Sequence, residues 1–253
     1  MIETNEQPPG KLFYAVIKTA QPCDFGPIGL DQRHVYSITH QDVGALVSDY
    51  PRVNTIKLLR KNIAPYHAAI SEAVKRFTTI PAKFPQIARD AGEVAVALQR
   101  NYSRIRHGLD RLDEKVEMGL KVWWTAENVL EFFVEKDPEI KSRWNRMKGK
   151  GPLNRFDQIA FGEFFHARMA RARIQMADLI RQAIPPSEIK IEEVSEESMA
   201  SNLLILIRKD LQPALETAIR ELNGGLGAEA RITVDGPWPP FSFVDHLEII
   251  MNR

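Results

Sequence analysis

The sequence predicts an α+β protein. It has an N-terminal α+β module, a C-terminal ferredoxin-like β-α-β-β-α-β domain with a helical extension, and a proline-aromatic tail. Three features predict it. Strand-like and helix-like hydrophobic periods occur in both halves, in mixed order. From about residue 117 to 235 the elements run strand, helices, strand, strand, helix, strand, a split β-α-β unit with a long first crossover. After that comes Gly236-Pro237-Trp238-Pro239-Pro240-Phe241-Ser242-Phe243. Its three prolines fix their own φ and push the residues before them into extended backbone. The domains are 1–115 and 116–236, the second with a helical insertion at about 126–183, and the tail at 237–253 is expected to pack between them.

The elements follow in order. Leu12-Phe13-Tyr14-Ala15-Val16-Ile17 is an apolar run of strand-forming residues. Pro22, Gly26, Pro27 and Gly29 mark 20–33 as a loop. Val35–Thr39 and Gly44–Ser48 flank His40-Gln41-Asp42 and read as a hairpin. Leu59, Ile63, Tyr66, Ile70, Val74 and Phe77 recur on one face of a helix. Thr78–Phe84 is extended, since Pro81 and Pro85 discourage helix. A second helix from about Asp90 to Leu112 carries the stripe Val94, Leu98, Ile105, Leu109, Leu112. Met118–Trp124 alternates as a strand. Helical patterns fill 126–183, broken at Asp137-Pro138 and Lys148–Pro152. Strands near Ile189–Glu193 and at Leu203–Ile207, a helix at about 211–222, a Gly224–Gly227 turn and a strand at Ala230–Asp235 complete the second half.

Composition bounds the function. The 253 residues are 44% hydrophobic and 26% charged, ordinary globular values. A net charge of +1 argues against a generally basic nucleic-acid binder and against a polybasic membrane anchor. One cysteine, Cys23, excludes an internal disulfide and fits a reducing compartment. The residues Met1–Lys11 hold no apolar signal core, and the run Leu203–Ile207 is too short to span a bilayer. The reading is a soluble, cytoplasmic protein.

Searches for chemistry return little. Gly225-Leu226-Gly227-Ala228-Glu229-Ala230 spells a dinucleotide fingerprint, but a helix precedes it and a strand follows, the reverse of what a pyrophosphate site requires. It reads as a helix cap and turn. No Walker A pattern and no G-x-S-x-G nucleophile elbow occur, and no His pair has zinc spacing. His67, beside Tyr66, reads as a packed, hydrogen-bonded histidine. Asp110, Asp113, Glu114 and Glu117 share a helix end, where a solvated acidic face is commoner than an acid/base pair. No catalytic residue, cofactor or metal is expected.

Charge is nevertheless uneven. Lys141–Gln182 holds ten basic residues against three acidic ones. Within it Phe165, Met169, Ala172, Met176, Leu179 and Ala183 step by fours and threes, a narrow helical seam, with Arg168, Arg171 and Arg181 off it. Two readings fit: an arm packed on its own domain with a solvated basic side, or a helix that docks a partner helix through adaptable methionines. Nucleic acid is not the expected partner, because the strand Leu203–Ile207 lacks the aromatics on which an RNA-recognition motif stacks bases.

Several segments together resemble the gas vesicle protein F/L (GvpF/GvpL) family: Leu12–Val16, the hairpin ending Gly44–Ser48, the helix carrying His67, Ile80-Pro81-Ala82-Lys83-Phe84, Val116–Val122 and Gly236–Phe243. The resemblance covers about 12–245 and departs at Pro85, where the family has Gly. It implies a non-enzymatic, minor structural and assembly component of the gas vesicle. Its implied partners are the hydrophobic major shell protein, gas vesicle protein A, whose aggregation it limits during nucleation, and other gas vesicle proteins. It also implies two α+β domains, the second a modified ferredoxin-like one. No lipid membrane partner is expected. The candidate interdomain clamp is Trp238, Pro239, Pro240 and Phe241, and the candidate partner-binding residues are Phe165, Met169, Met176, Arg168, Arg171 and Arg181. The alternative is a ferredoxin-like regulatory protein that binds a small molecule, a reading that rests on fold analogy.

Overall fold

The computed structural model describes residues 9–51, 56–149, 155–194 and 196–244. The 150–152 part of the helix break and the 245–253 part of the tail lie outside the described residues. The chain forms two compact units, Met1–Glu117 with Pro237–Arg253, and Met118–Gly236.

The first unit contains strands β1 (Gly10–Lys18), β2 (Asp24–Gly26), β3 (Val35–His40), β4 (Val43–Tyr50) and β5 (Thr79–Ala88), and helices α1 (Arg60–Arg76) and α2 (Ala91–Leu112). Its sheet has the order β2-β3-β4-β1-β5, antiparallel at each pairing. The expected hairpin is β3–β4, with Val35 opposite Ser48 and His40 opposite Val43. The segment 20–33, expected to be all loop, instead adds the edge strand β2 and a turn at Leu30–Gln32. That turn is built around Gly29. A Cβ there would lie 2.6 Å from the Tyr14 hydroxyl and 2.8 Å from the Arg33 carbonyl.

β1 lies inside the sheet between β4 and β5, and seven of its nine residues are buried. Burial on both faces explains why it reads as a continuous apolar run. On one side α1 contributes Tyr66, Ala69, Ile70 and Ala73 to a core with Leu12, Tyr14, Ala15 and Ile17. The inclusion of both Tyr14 and Ala15 breaks strand alternation, and a register shift lies there against both β4 and β5. On the β5 side the ladder jumps from Phe13–Gln86 to Ala15–Pro81. The Tyr66 hydroxyl fills the gap. It lies 3.0, 3.2 and 3.1 Å from the carbonyl oxygens of Phe13, Tyr14 and Ala82. Burial, with a smaller contribution from Tyr14, drives its pKa well above the ordinary tyrosine value, so it stays a donor. Tyr14 stacks on Tyr66 at 5.0 Å, accepts the Leu30 N–H at 3.0 Å and shares a hydrogen bond with Ser48 at 3.0 Å. α2 supplies Val94, Leu98, Ile105 and Leu109 as its buried stripe, as its periodicity predicts. Asp90 caps it by accepting the Glu93 N–H at 2.8 Å.

The second unit takes in most of β6 (Lys115–Trp124), then α3 (Val129–Lys136), α4 (Pro138–Lys148), α5 (Arg155–Ala183), β7 (Glu188–Ile191), β8 (Met199–Arg208), α6 (Gln212–Leu226) and β9 (Ala230–Trp238). Its sheet order is β7-β8-β6-β9. Asp137 ends α3 and caps α4, accepting the Glu139 and Ile140 N–H groups at 2.9 and 3.2 Å, with Pro138 at the first helical position, where its missing N–H costs nothing. α6 runs past its expected end near 222, taking in Gly224 and Gly225, and Gly227 alone, at φ 58°, closes it as the cap.

Tyr66→Phe removes the hydroxyl donor at the broken ladder and leaves the ring stack in place. It is expected to destabilise the protein by about 1–3 kcal/mol, the cost of an unpaired buried carbonyl, read as a lowered denaturation midpoint with unchanged slope.

Candidate functional site

Two surfaces stand out from the residues upward: the tail and the long helix α5. β9 runs on through Gly236, whose φ of 113° suits glycine, to Trp238, where the tail leaves it. Trp238 stays 39% exposed, while Pro239 and Pro240 are buried. Short backbone bonds from the Phe241 N–H to the Pro239 carbonyl (2.7 Å) and from the Phe243 N–H to the Pro240 carbonyl (3.2 Å) curl the next residues into a tight turn.

That turn fastens onto the first unit at several points. The Phe241 ring stacks on His67 of α1, with centroids 4.7 Å apart and planes at 21°. The Ser242 N–H and Oγ–H donate to the two Glu117 carboxylate oxygens at 2.8 and 2.7 Å. Phe243 is 1% exposed, and its carbonyl accepts from Arg111 Nη1 at 3.1 Å. Beside it Ile80, Gly108 and Leu112 line a cavity of about 140 Å³ edged by Arg104, His107 and Arg111.

These contacts revise several expectations. The exposed Trp238 is not the deepest anchor; Phe243 is, because the turn after Pro240 aims it inward. Glu117 is not part of a solvated acidic face. It is 4% exposed, and the Ser242 donors offset part of its lost hydration. Its neighbours are likewise committed: Asp113 accepts from Thr78 at 2.5 Å and from Lys18 at 3.0 Å, and Asp110 from Arg106 at 2.8 Å. His67 is held by ring stacking rather than buried by a hydrogen-bond network. Its outer edge meets solvent, yet lost hydration still lowers its pKa. Among the described residues no group of three or more His, Cys, Asp or Glu side chains is placed to hold a metal, and no helix is long and apolar enough to cross a membrane.

On α5 the seam does not stand free. Phe165 and Met169 are buried in their own unit, and Met176 is half-buried. Phe165 joins an aromatic cluster with Phe133 at 6.2 Å and Phe161 at 6.3 Å. Arg168 is also committed: Nε donates to Asp137 at 2.8 Å and Nη1 to Glu139 at 3.3 Å. Burial alone would raise the Asp137 pKa, but Arg168 and the two capping N–H groups bring it below the ordinary value. Arg181 pairs with Asp178 one turn away at 2.8 Å. Arg171 remains exposed. The opposite face of the same helix, off the Phe165–Ala183 seam, carries exposed Phe156, Ile159 and Ile174.

Residues 10–245 match the family model described as gas vesicle synthesis protein GvpL/GvpF. The chain belongs to this family. Among its GvpL/GvpF relatives, gas vesicle protein F of Streptomyces sp. (strain CB03234) is 26% identical, the match covering 92% of this chain and 98% of that protein. Gas vesicle protein L1 of Halobacterium salinarum is 22% identical, covering 94% of this chain and 91% of that protein. The crystal structure of GvpF from Anabaena sp. PCC7120 superposes with a TM-score of 0.79 at 20% identity, over 93% of this chain and 98% of that one. GvpF from Microcystis aeruginosa gives 0.74 at 18%, over 92% and 98%. The α+β architecture is therefore the one seen in those GvpF crystals.

The strap makes two predictions. Phe243→Ala should cost about 3–5 kcal/mol, as for a fully buried aromatic, and clearly more than Trp238→Ala, as judged by urea denaturation of each variant. His67 binds its proton less readily when folded, so stability should fall on acidification from the ordinary histidine range near 6.5 downward. His67→Phe, which keeps the stack but cannot titrate, should flatten that part of the stability–pH curve.

Proposed function

We propose that this chain is a non-enzymatic assembly component of the gas vesicle that binds the major shell protein and limits its aggregation while the shell nucleates. The observation that carries the reading is the match over 10–245 to a gas vesicle synthesis family, with relatives named both F and L. The physical need is plain. A shell that encloses gas presents an apolar inner face, and free subunits expose that face to water, where such patches associate. A protein that covers the face transiently keeps subunits available for ordered growth.

Two features support the division of labour. The second unit reads as the ferredoxin-like domain of the family, supported by its element order and by the sheet order β7-β8-β6-β9, in which the first and third strands of the β-α-β-β-α-β series lie side by side at the centre. The strap, running on from β9 and seated on the first unit, supports a clamp role for Pro239, Pro240 and Phe241. Partner contact falls instead to the exposed side of the 126–183 helical extension, Arg171 included. Association with the vesicle inside the cell follows from the same reading.

The test is refolding of purified shell protein by dilution from denaturant, followed by light scattering. An equimolar amount of this chain should lower scattering and co-elute with the shell protein, whereas unaltered scattering and separate elution would refute the proposal.

A further inference from the structure

We propose that the solvent face of α5 is a docking surface for an acidic, amphipathic α-helix of a partner protein. The face is built from Phe156, Ala160, Glu163, Ala167, Ala170 and Ile174, all exposed. They step by four, three, four, three and four residues, the spacing of a helix seam. This seam lies on the side of α5 away from Phe165 and Met169, so the helix has one apolar stripe packed inward and a second open to solvent. The large members are strongly exposed: Phe156 at 80%, Ile174 at 63%, with Ile159 at 52% beside them.

Shape points to a helix as the occupant. At a rise of about 1.5 Å per residue the stripe is a straight track of roughly 27 Å. Between its bulky ends the track holds three alanines, which allow a second helix axis to approach to the short end of the usual range of about 8–10 Å.

Charge decides what kind of helix. Several cations of this region are already engaged: Arg168 by Asp137, Arg181 by Asp178, and Arg173 by the Met199 and Glu196 carbonyls at 3.2 and 3.1 Å. Arg143, Arg146, Arg155 and Arg171 are exposed and make no ion pair among the described residues. Arg143 sits over the Phe164 ring, its guanidinium carbon 3.9 Å from the centroid, which anchors it on the α4–α5 surface. Arg143 and Arg146 of α4 border a groove of about 270 Å³ that opens beside Ala160, so the apolar track has a basic bank. The acidic groups on this side are Asp157 in the groove and Glu163 on the track. A partner helix with an apolar stripe and carboxylates along one edge satisfies both the track and the bank. Glu163 adds register, because the partner must present a cation or a small residue opposite it. A second copy of this chain would bring two basic banks together, and a lipid surface would have to bury Glu163; neither suits the charge pattern.

The inference refines the assembly reading by naming the partner-facing surface, and its test uses no vesicle protein, so the two can fail separately. The probe is a labelled synthetic helix of about 21 residues, three heptads, with a Leu/Ala seam and Glu on its flanks, compared with a Lys-flanked version of the same peptide. Fluorescence anisotropy with the full chain should show binding of the Glu peptide only, weakening steeply as salt rises. Arg143→Glu with Arg146→Glu should reduce affinity at least roughly tenfold, as reversal of rim charges against a like-charged partner does. Ala167→Trp should block binding by filling the track, with circular dichroism confirming that both variants fold. No binding of the Glu peptide, equal binding of the Lys peptide, or retention on anionic phosphatidylglycerol vesicles that Ala167→Trp abolishes would overturn the proposal. So would concentration-dependent dimerisation that Ala167→Trp abolishes and the Glu peptide does not compete away.

Discussion

The architecture of the first unit depends on one hydroxyl group. β1 must pair on both edges, yet its ladder to β5 breaks between Phe13 and Ala15. A buried carbonyl without a donor is expensive, and a break in an interior strand puts its carbonyls at that risk. Tyr66 answers this from outside the sheet, placing one O–H among three carbonyl oxygens while its ring packs against Tyr14 and, edge-on, against Phe84 at 4.8 Å. The same contacts fix the rotation of α1 about its axis. Once that rotation is set, the next residue, His67, faces the place where Phe241 arrives. The strap site is thus a consequence of how a sheet defect is repaired, and polar satisfaction, hydrophobic packing and tail docking share a few residues of one helix.

The second unit solves a different problem with a single long helix. α5 buries Phe165, Met169, Ala177 and Ile180 inward, and the Asp137–Arg168 pair ties it to the start of α4. Asp137 caps one helix and holds another, so a single carboxylate organises the helical extension. With Arg168, Arg173 and Arg181 occupied by local acceptors, the excess positive charge concentrates toward the α4–α5 end. A nearly neutral protein thereby presents a directional basic surface, which net charge alone conceals.

Much of this was legible in the residues. The β3–β4 hairpin, the stripe of α2, the strand β8 and the Gly227 cap follow from local periodicity or backbone restriction, which single sequences carry directly; of the α1 stripe only Tyr66 and Ile70 are fully buried, and Leu59 is exposed. The prolines of the tail signalled extended backbone, which Gly236–Trp238 adopt as the end of β9 before the chain curls at Phe241–Phe243. What escaped were pairings between distant positions. Nothing near Glu117 in sequence reveals that its partner is Ser242, 125 residues on. Nothing near Tyr66 reveals a ladder break in β1. Leu30 looked like loop because its turn is stabilised by Tyr14, 16 residues away. The α5 seam misled for a different reason. A helix with apolar residues on two sides offers two equally good heptad tracks, and spacing alone does not say which one meets the core; only the position of β8 and the aromatic cluster does.

The Glu117–Ser242 link also bears on how the polypeptide is made. Ribosomes deliver residue 117 long before residue 242, so during synthesis the nascent first unit holds a carboxylate whose Ser242 donors do not yet exist. Its closure waits until the second unit has been made and residue 242 emerges. A message cut short after β9 would release a product whose first unit lacks its fastening, marking it for proteolysis although the defect lies beyond the second unit. In this way the strap ties the maturity of the first unit to the synthesis of a serine made only after the whole second unit.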